Sequence, residues 1–384
     1  MKETIEFVDR RGSDCLKWDM LQEKYGDGEL LSMWVADMDF RCPACVNEAI
    51  KNYAEHGIYG YNKLIHRFFA AFARWEELRH GYRVEREWLR FSPGVVPAIN
   101  WCVYSLTQPG DAVMVLSPVY YPFFYAVEDN GRRLVDSRLR YENGRYQLNL
   151  ADMEEKMRSQ QVKLLIFCSP HNPVGRVWQR QELEQLCALC EKYGVILLSD
   201  EIHQDFVYGQ AKHMPMGLLR EKNVIMLTAP SKTFNLAGLA SSVVVIPDDA
   251  LRQKWDDFTG KLHLGGGNIP GYLAGEAAYT DGADWLEQVK TIVYGNYLYL
   301  KDTLLEKLPR LQVAELEGTY LMWINFEAYL KGEEMADFFE KKCRLALDYG
   351  DWFRGGADTW VRFNLATDRK LVEQAAAAIL KALA

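Results

Sequence analysis

The chain reads as an α/β protein with a large domain on a doubly wound, mostly parallel sheet and a smaller α+β domain behind it. Two observations predict this. Short apolar runs alternate with helical stretches through the middle of the sequence, and the alternation stops after about Ala283. The runs are residues 112–116, 163–168, 195–199, 224–228 and 242–246. Each is rich in Val, Ile and Leu on both faces, as strands are when helices cover both sides of their sheet. Residues 181–193 place Leu183, Leu186, Cys187 and Cys190 on one helical face and close at Gly194, which suits the left-handed turn after a helix. Beyond the break, residues 285–308 form a long helical pattern. Short strands at 312–316 and 321–326 and helices at 331–342 and 371–383 come after it. At roughly 150 residues per domain, the 384 residues divide naturally. Residues 1–48 are an N-terminal segment packing on the small domain, 49–283 the large domain and 284–384 the small one.

Hydrophobic residues make up 49% and charged residues 26%, the balance of a folded globular chain. The net charge is −8 and the basic residues are scattered, so no basic stripe exists to follow a nucleic acid. The first eleven residues lack the apolar segment of a signal peptide, and no apolar run reaches the roughly 20 residues of a membrane span. A cytoplasmic location is expected, with the eight cysteines as reduced thiols. Two C-x-x-C pairs, Cys42/Cys45 and Cys187/Cys190, have spacing seen in redox or zinc sites. The second pair falls on the apolar face of a helix, where cysteine is a small filler; the first brackets Pro43 at a helix start, where a dipole can stabilise a thiolate. No metal site is expected.

In open α/β sheets, ligands sit beyond the carboxyl ends of the strands. The residues just after each apolar run are therefore informative. Four of the runs lead into Tyr120, into Asn172, into Asp200 with His203 behind it, and into Ser231-Lys232. An aromatic ring, an amide, a carboxylate and an amine thus face one crevice. The amine can condense with an aldehyde, and the carboxylate can keep a pyridine nitrogen protonated; the ring can stack on that pyridine and the amide can bond its phenolic oxygen. Ser92-Pro93-Gly94-Val95-Val96-Pro97 adds a glycine before a helix with proline in its first turn, whose free N–H groups suit a phosphate. The set points to pyridoxal 5′-phosphate.

Eight ordered motifs then carry a family resemblance over nearly the whole chain. They are MWVADMDF at 33–40, FSPGVVPA at 91–98, PVYYPFF at 118–124, SPHNPVGRVW at 169–178, SDEIHQDF at 199–206, SKTFNLAGL at 231–239, EGTYLMW at 317–323 and VRFNLA at 361–366. The chain resembles the class I/II, fold type I pyridoxal-phosphate enzymes, and within them the cystathionine β-lyase or C–S lyase branch that includes the maltose-regulon modulator. The resemblance implies the PLP-dependent transferase fold and a role for each matching residue. Lys232 bonds the cofactor, Asp200 faces the pyridine nitrogen, Asn172 and His203 lie by the phenolic oxygen, and Tyr120 stacks on the ring, with Tyr121 an alternative one residue away. Val95 and Val96 offer backbone N–H groups to the phosphate, and Ser231 a hydroxyl. Arg362 clamps the substrate carboxylate, with Asn172 also binding it. Tyr61 reaches the phosphate of the neighbouring subunit, which implies a homodimer. Two positions depart from the pattern: Ala229, where a second serine is common, and Ala240, where aminotransferases place an arginine. Ser241 or Ser242 can compensate.

The activity implied is β-elimination from an amino acid with sulfur at Cβ, such as cystathionine, giving a thiol, pyruvate and ammonia. An aminotransferase would use the same lysine, aspartate and arginine and stays as the alternative. A lyase with an added protein-binding regulatory role is a lesser one. Trp34, Trp323 and Trp352 are read mainly as core, and Gly265-Gly266-Gly267 as a flexible loop.

Overall fold

All five apolar runs become strands of one seven-stranded sheet in the computed structural model, which describes residues 4–383. Its strands are β1 (Leu89–Ser92), β2 (Ala112–Val115), β3 (Arg133–Asp136), β4 (Val162–Cys168), β5 (Ile196–Asp200), β6 (Val224–Thr228) and β7 (Ser242–Val245), in the spatial order β1-β7-β6-β5-β4-β2-β3. Strands β2 to β6 pair in parallel, and β7 is antiparallel to both of its neighbours. The sequence pattern misses β1 and β3. Both are edge strands of four residues carrying charges, Arg90 in one and Arg133 and Asp136 in the other, and polar edges are how sheets avoid further pairing.

Around this sheet lie α1 (Ala44–His56), α2 (Leu64–His80), α3 (Val95–Leu106), α4 (Pro122–Glu128), α5 (Leu150–Gln160), α6 (Arg180–Lys192), the short α7 (Pro230–Thr233), α8 (Asp249–Lys261) and α9 (Ile269–Asp281). Alternation of side chains divides the buried residues between the sheet's two faces. Val113, Leu164, Ile166, Leu198, Ile225 and Val244 pack together with residues of α3, α4 and α8. Met114, Leu165, Phe167, Leu197 and Met226 face the opposite way, into a second cluster shared with α2, α5, α6 and α9. The sheet is therefore doubly wound. Helix α6 begins in a capping box between Gln179 and Glu182 and is followed by Gly194 at φ +66°.

After α10 (Ala283–Lys307) comes a four-stranded sheet, β8 (Gln312–Val313), β9 (Leu321–Asn325), β10 (Asp348–Tyr349) and β11 (Trp360–Asn364), ordered β8-β9-β11-β10 and antiparallel throughout. Helix α11 (Arg369–Leu383) completes it. The expected helix at 331–342 is not regular. A 3₁₀ turn at Gly332–Glu334 leads into π-helical winding at Asp337–Lys342, where adjacent Phe338 and Phe339 are both buried. A wider turn lets both rings point inward.

Near the N-terminus, Leu31–Ser32 pairs in parallel with Leu345–Ala346. Residues 33–40 then run as a strap between the two sheets. Asn364 Nδ2 donates to Val35 O and Asp37 O, while Asn235 bonds Met38 and Phe40. Asp39 anchors the strap, accepting from Lys17 Nζ at 2.7 Å, Trp18 Nε1 at 3.0 Å and Thr367 Oγ1 at 2.7 Å, all buried. Among the described residues, no helix is long and apolar enough to cross a membrane, and no cluster of three or more His, Cys, Asp or Glu could hold a metal ion.

Candidate active site

The carboxyl ends of β4, β5 and β6 open onto a cavity of about 200 Å³. Most of the residues singled out in the sequence line it: Val95, Val96, Tyr120, Asn172, Asp200, His203, Ser231 and Lys232. Of the two adjacent tyrosines, Tyr120 lines the cavity and Tyr121 does not; Tyr121 packs instead against Phe353 and Trp352. A larger open groove of about 900 Å³ lies elsewhere, past Trp101, Tyr104 and Phe258, with none of these residues on its walls.

Lys232 sits on α7, directly after β6. Its ammonium donates to Ala36 O on the strap at 2.6 Å. Burial lowers its pKa to about 8, against the pull of Asp37 and Asp200 and with the push of Arg362. The neutral, nucleophilic amine is thus far more accessible near neutral pH than in a solvated lysine. The helix carrying it is held from below: Thr233 Oγ1 donates to Asp205 at 2.7 Å, and Asp205 also accepts from Trp75 Nε1 at 3.1 Å and faces His80 Nε2 at 3.1 Å.

Asp200 ends β5, and burial raises its pKa to about 7 even though Ile202 N–H donates to it and Lys232 draws it down. A buried carboxyl in this state is poised for a cationic partner. His203 is buried with no partner on Nδ1, and burial, aided by Lys232 and Arg362, pushes its pKa well down. Cys168, on the cavity floor, is a thiol driven upward by burial.

Helix α3 starts at Val95 with no side chain capping it. The N–H groups of its first turn therefore face the cavity without intrahelical acceptors. Beside them Ser241 lines the cavity with its buried Oγ unpartnered, whereas Ser242 Oγ donates to Ser92 O at 2.8 Å. Of the two serines expected to offset Ala229 and Ala240, Ser241 is the one whose unpartnered hydroxyl lies at the cavity. Ala229 is buried away from the cavity lining, and Ala240 is exposed.

Arg362, on β11, reaches the same place from the second sheet. Nη1 donates to Asn172 Oδ1 at 3.0 Å, Nη2 to Trp34 O at 2.9 Å, and the guanidinium pairs with buried Asp348. Arg362 Nε and Asp348 Oδ1 have no partner. Tyr61 is not brought to the cavity; it is fully exposed, close to exposed Ile58 and Tyr59.

A family model described as aminotransferase class I and II matches residues 31–379. The chain belongs to this family. The chain is similar to cystathionine beta-lyase PatB of Bacillus subtilis, 39% identical over 360 residues covering 93% of each chain. Protein MalY of Escherichia coli is 28% identical and covers 100% of this chain and 99% of its own. Among solved structures, cystalysin from Treponema denticola, which contains a pyridoxal 5′-phosphate cofactor, superposes with a TM-score of 0.95 at 30% identity, covering 100% and 99% of the two chains. The PLP-bound C-S lyase from Staphylococcus hominis gives 0.93 at 32%, covering 98% and 97%. The fold is therefore the one shared by these class I and II proteins.

Three contributors to the site escaped the sequence reading: Ala36, Tyr320 and Asp348. Tyr320 OH donates to Ala36 O at 2.7 Å, so that one carbonyl receives both the tyrosine and Lys232. Tyr320 lies inside EGTYLMW and Ala36 inside MWVADMDF, but a backbone carbonyl leaves no mark on residue type. Asp348 had no motif to point to it.

Proposed function

We infer that the protein is a pyridoxal 5′-phosphate-dependent carbon–sulfur β-lyase, cleaving cystathionine or a related cysteine S-conjugate to a thiol, pyruvate and ammonia. The observation that carries this is the pairing of Lys232 and Asp200 on one strand-end cavity, in a chain 39% identical to a protein named cystathionine beta-lyase. The cavity suits the cofactor on its own evidence. It offers an amine of lowered pKa, a buried carboxyl lacking a cation, an uncapped helix start and an orphaned serine hydroxyl at Ser241.

When bound, pyridoxal 5′-phosphate supplies an aldehyde for an amine to bond and a ring that accepts the electron pair left at Cα. Asp200 holds a proton at the ring nitrogen by Coulomb attraction in a water-poor site. The first-turn N–H groups of Val95 and Val96, with Ser231 and Ser241, bind the phosphate. Tyr120 would hold the ring from the cavity wall, and Asn172 and His203 would offer polar groups to its phenolic oxygen. Arg362, already oriented by Asp348 and Asn172, binds the substrate carboxylate with its planar fork. The free Lys232 amine, resting on Ala36 O, takes the proton from Cα as general base. Ala36 of the strap lines the cavity beside this amine.

The exposed Tyr61, with Tyr59 and Ile58, supports a homodimer in which Tyr61 completes the partner's phosphate site. The division at residues 48 and 283 belongs to the same reading, supported by two separate sheets and by the pairing of Leu31–Ser32 with Leu345–Ala346. The experiment is turnover of cystathionine by cofactor-loaded protein without a keto-acid acceptor. Many equivalents of pyruvate and thiol per site mark a lyase. A single half-turnover marks an aminotransferase and rejects the inference.

A further inference from the structure

Outside the cavity lining, but within reach of the Arg362 and Asp348 charges, lies a further cation. Lys24 lies on the short helix Leu21–Tyr25, and its ammonium sits 4.6 Å from the ring centre of Trp34 and 4.2 Å from that of Trp352. Among the described residues it forms no ion pair; Asp348, which acts on it from farther off, is already taken by Arg362.

Both tryptophan walls lead back to the carboxylate end of the cavity. Trp34 O accepts from Arg362 Nη2, and Trp352 precedes Phe353, whose ring lies 5.1 Å from the Arg362 guanidinium. Trp352 also meets Tyr121 edge-on at 6.4 Å, and the Tyr121 ring is 5.1 Å from that of Tyr120. A chain of ring contacts therefore links the cavity-lining Tyr120, through Tyr121, to the Trp352 indole beside the Lys24 ammonium.

We propose that Lys24, held between Trp34 and Trp352, is a distal subsite for the carboxylate beyond the sulfur of an amino-acid thioether. The proposal rests on the lyase reading and narrows its substrate class. Arg362 serves one substrate carboxylate. A thioether whose leaving half is itself an amino acid brings a second, and Lys24 is the available positive charge beside the first. The two indoles fix the lysine stem in advance, so little rotamer freedom is lost when an anion binds, and their faces cover the methylenes between sulfur and carboxylate.

The test compares Lys24→Met with the unsubstituted protein on cystathionine and on S-methylcysteine, which carries only a methyl beyond the sulfur. One exposed charge contact corresponds to about a 1.5- to fivefold rise in KM. That rise is expected for cystathionine alone, with kcat nearly constant, S-methylcysteine unchanged and Lys24→Arg restoring affinity. Calorimetric binding of cystathionine to the inactive, cofactor-loaded Lys232→Ala protein, with and without Lys24→Met, should show the same weakening. Equal effects on both substrates, or none on cystathionine, overturn the subsite. If the unsubstituted protein releases pyruvate from neither substrate, the lyase reading itself has failed; if it releases pyruvate from both and Lys24→Met is unselective, only the subsite has.

Discussion

Replacing Arg362 by methionine separates what this residue does for binding from what it does for the fold. Its side chain is 2% exposed and that of Asp348 is 1% exposed. Methionine fills a similar volume but leaves Asp348 buried without its cation. Breaking a buried pair in this way costs about 3–5 kcal/mol. With an unfolding entropy of about 2.1 cal/mol/K per residue over 384 residues, the apparent melting temperature should fall by about 4–6 °C. The loss should also depend on pH. Burial already raises the Asp348 pKa, with Arg362 opposing it; without Arg362 it rises further. A carboxyl raised on folding keeps its stability below the unfolded pKa and loses it as pH climbs to the folded value, at about 1.4 kcal/mol per pH unit. The deficit of Arg362→Met should therefore widen as pH rises from the ordinary carboxylate range. Adding Asp348→Leu removes the stranded charge and should restore most of the melting temperature. Activity should not return with it. Each lost charge-assisted bond to the substrate carboxylate is worth about 1.5–3 kcal/mol, so kcat/KM should fall about 10- to 100-fold for one bond in both variants. Thermal scans across pH and steady-state kinetics read the two effects separately. Wild-type kcat/KM in Arg362→Met, or activity regained in the double variant, would refute the carboxylate role.

Other consequences concern the amine, its support and the phosphate end. Lys232→Ala should abolish pyruvate release and the visible absorbance of cofactor-loaded protein together; loss of one without the other contradicts the assignment. Because burial lowers the Lys232 pKa to about 8, capture of the free aldehyde by apoprotein should quicken with pH and level off above about 8, where a solvated lysine would keep gaining. Ser241→Ala removes the unpartnered hydroxyl of the cavity and should speed cofactor loss on dialysis about tenfold or more, while Ser242→Ala should not. Asp205→Asn should cost about 2–4 kcal/mol at neutral pH. Burial opposes the charge of Asp205, yet His80 and Arg79 hold its pKa low, so the gap to the unsubstituted protein should close as acid titrates that carboxylate.

The chemistry-bearing part of this site was legible because it is written in residue types at strand ends. Lys232, Asp200, Asn172 and Tyr120 each come after an apolar run, and open α/β sheets collect such positions in one place. Edge strands β1 and β3 stayed hidden because their charges erase the apolar signature. The strap was visible only as a motif; its work is done by backbone carbonyls, Ala36 O for Lys232 and Trp34 O for Arg362, which any residue could supply. Asp348 and Lys24 were illegible for another reason: each matters through a partner that no local motif announces, Arg362 being paired with the first and Trp352 stacked on the second.

Borohydride reduction of cofactor-loaded protein and subsequent peptide mass mapping test the central assignment most directly. A pyridoxyl group fixed to Lys232, and to no other lysine, is the outcome required by an amine of lowered pKa facing Asp200 across this cavity. A label on another lysine, or none after cofactor has been supplied in excess, would contradict it.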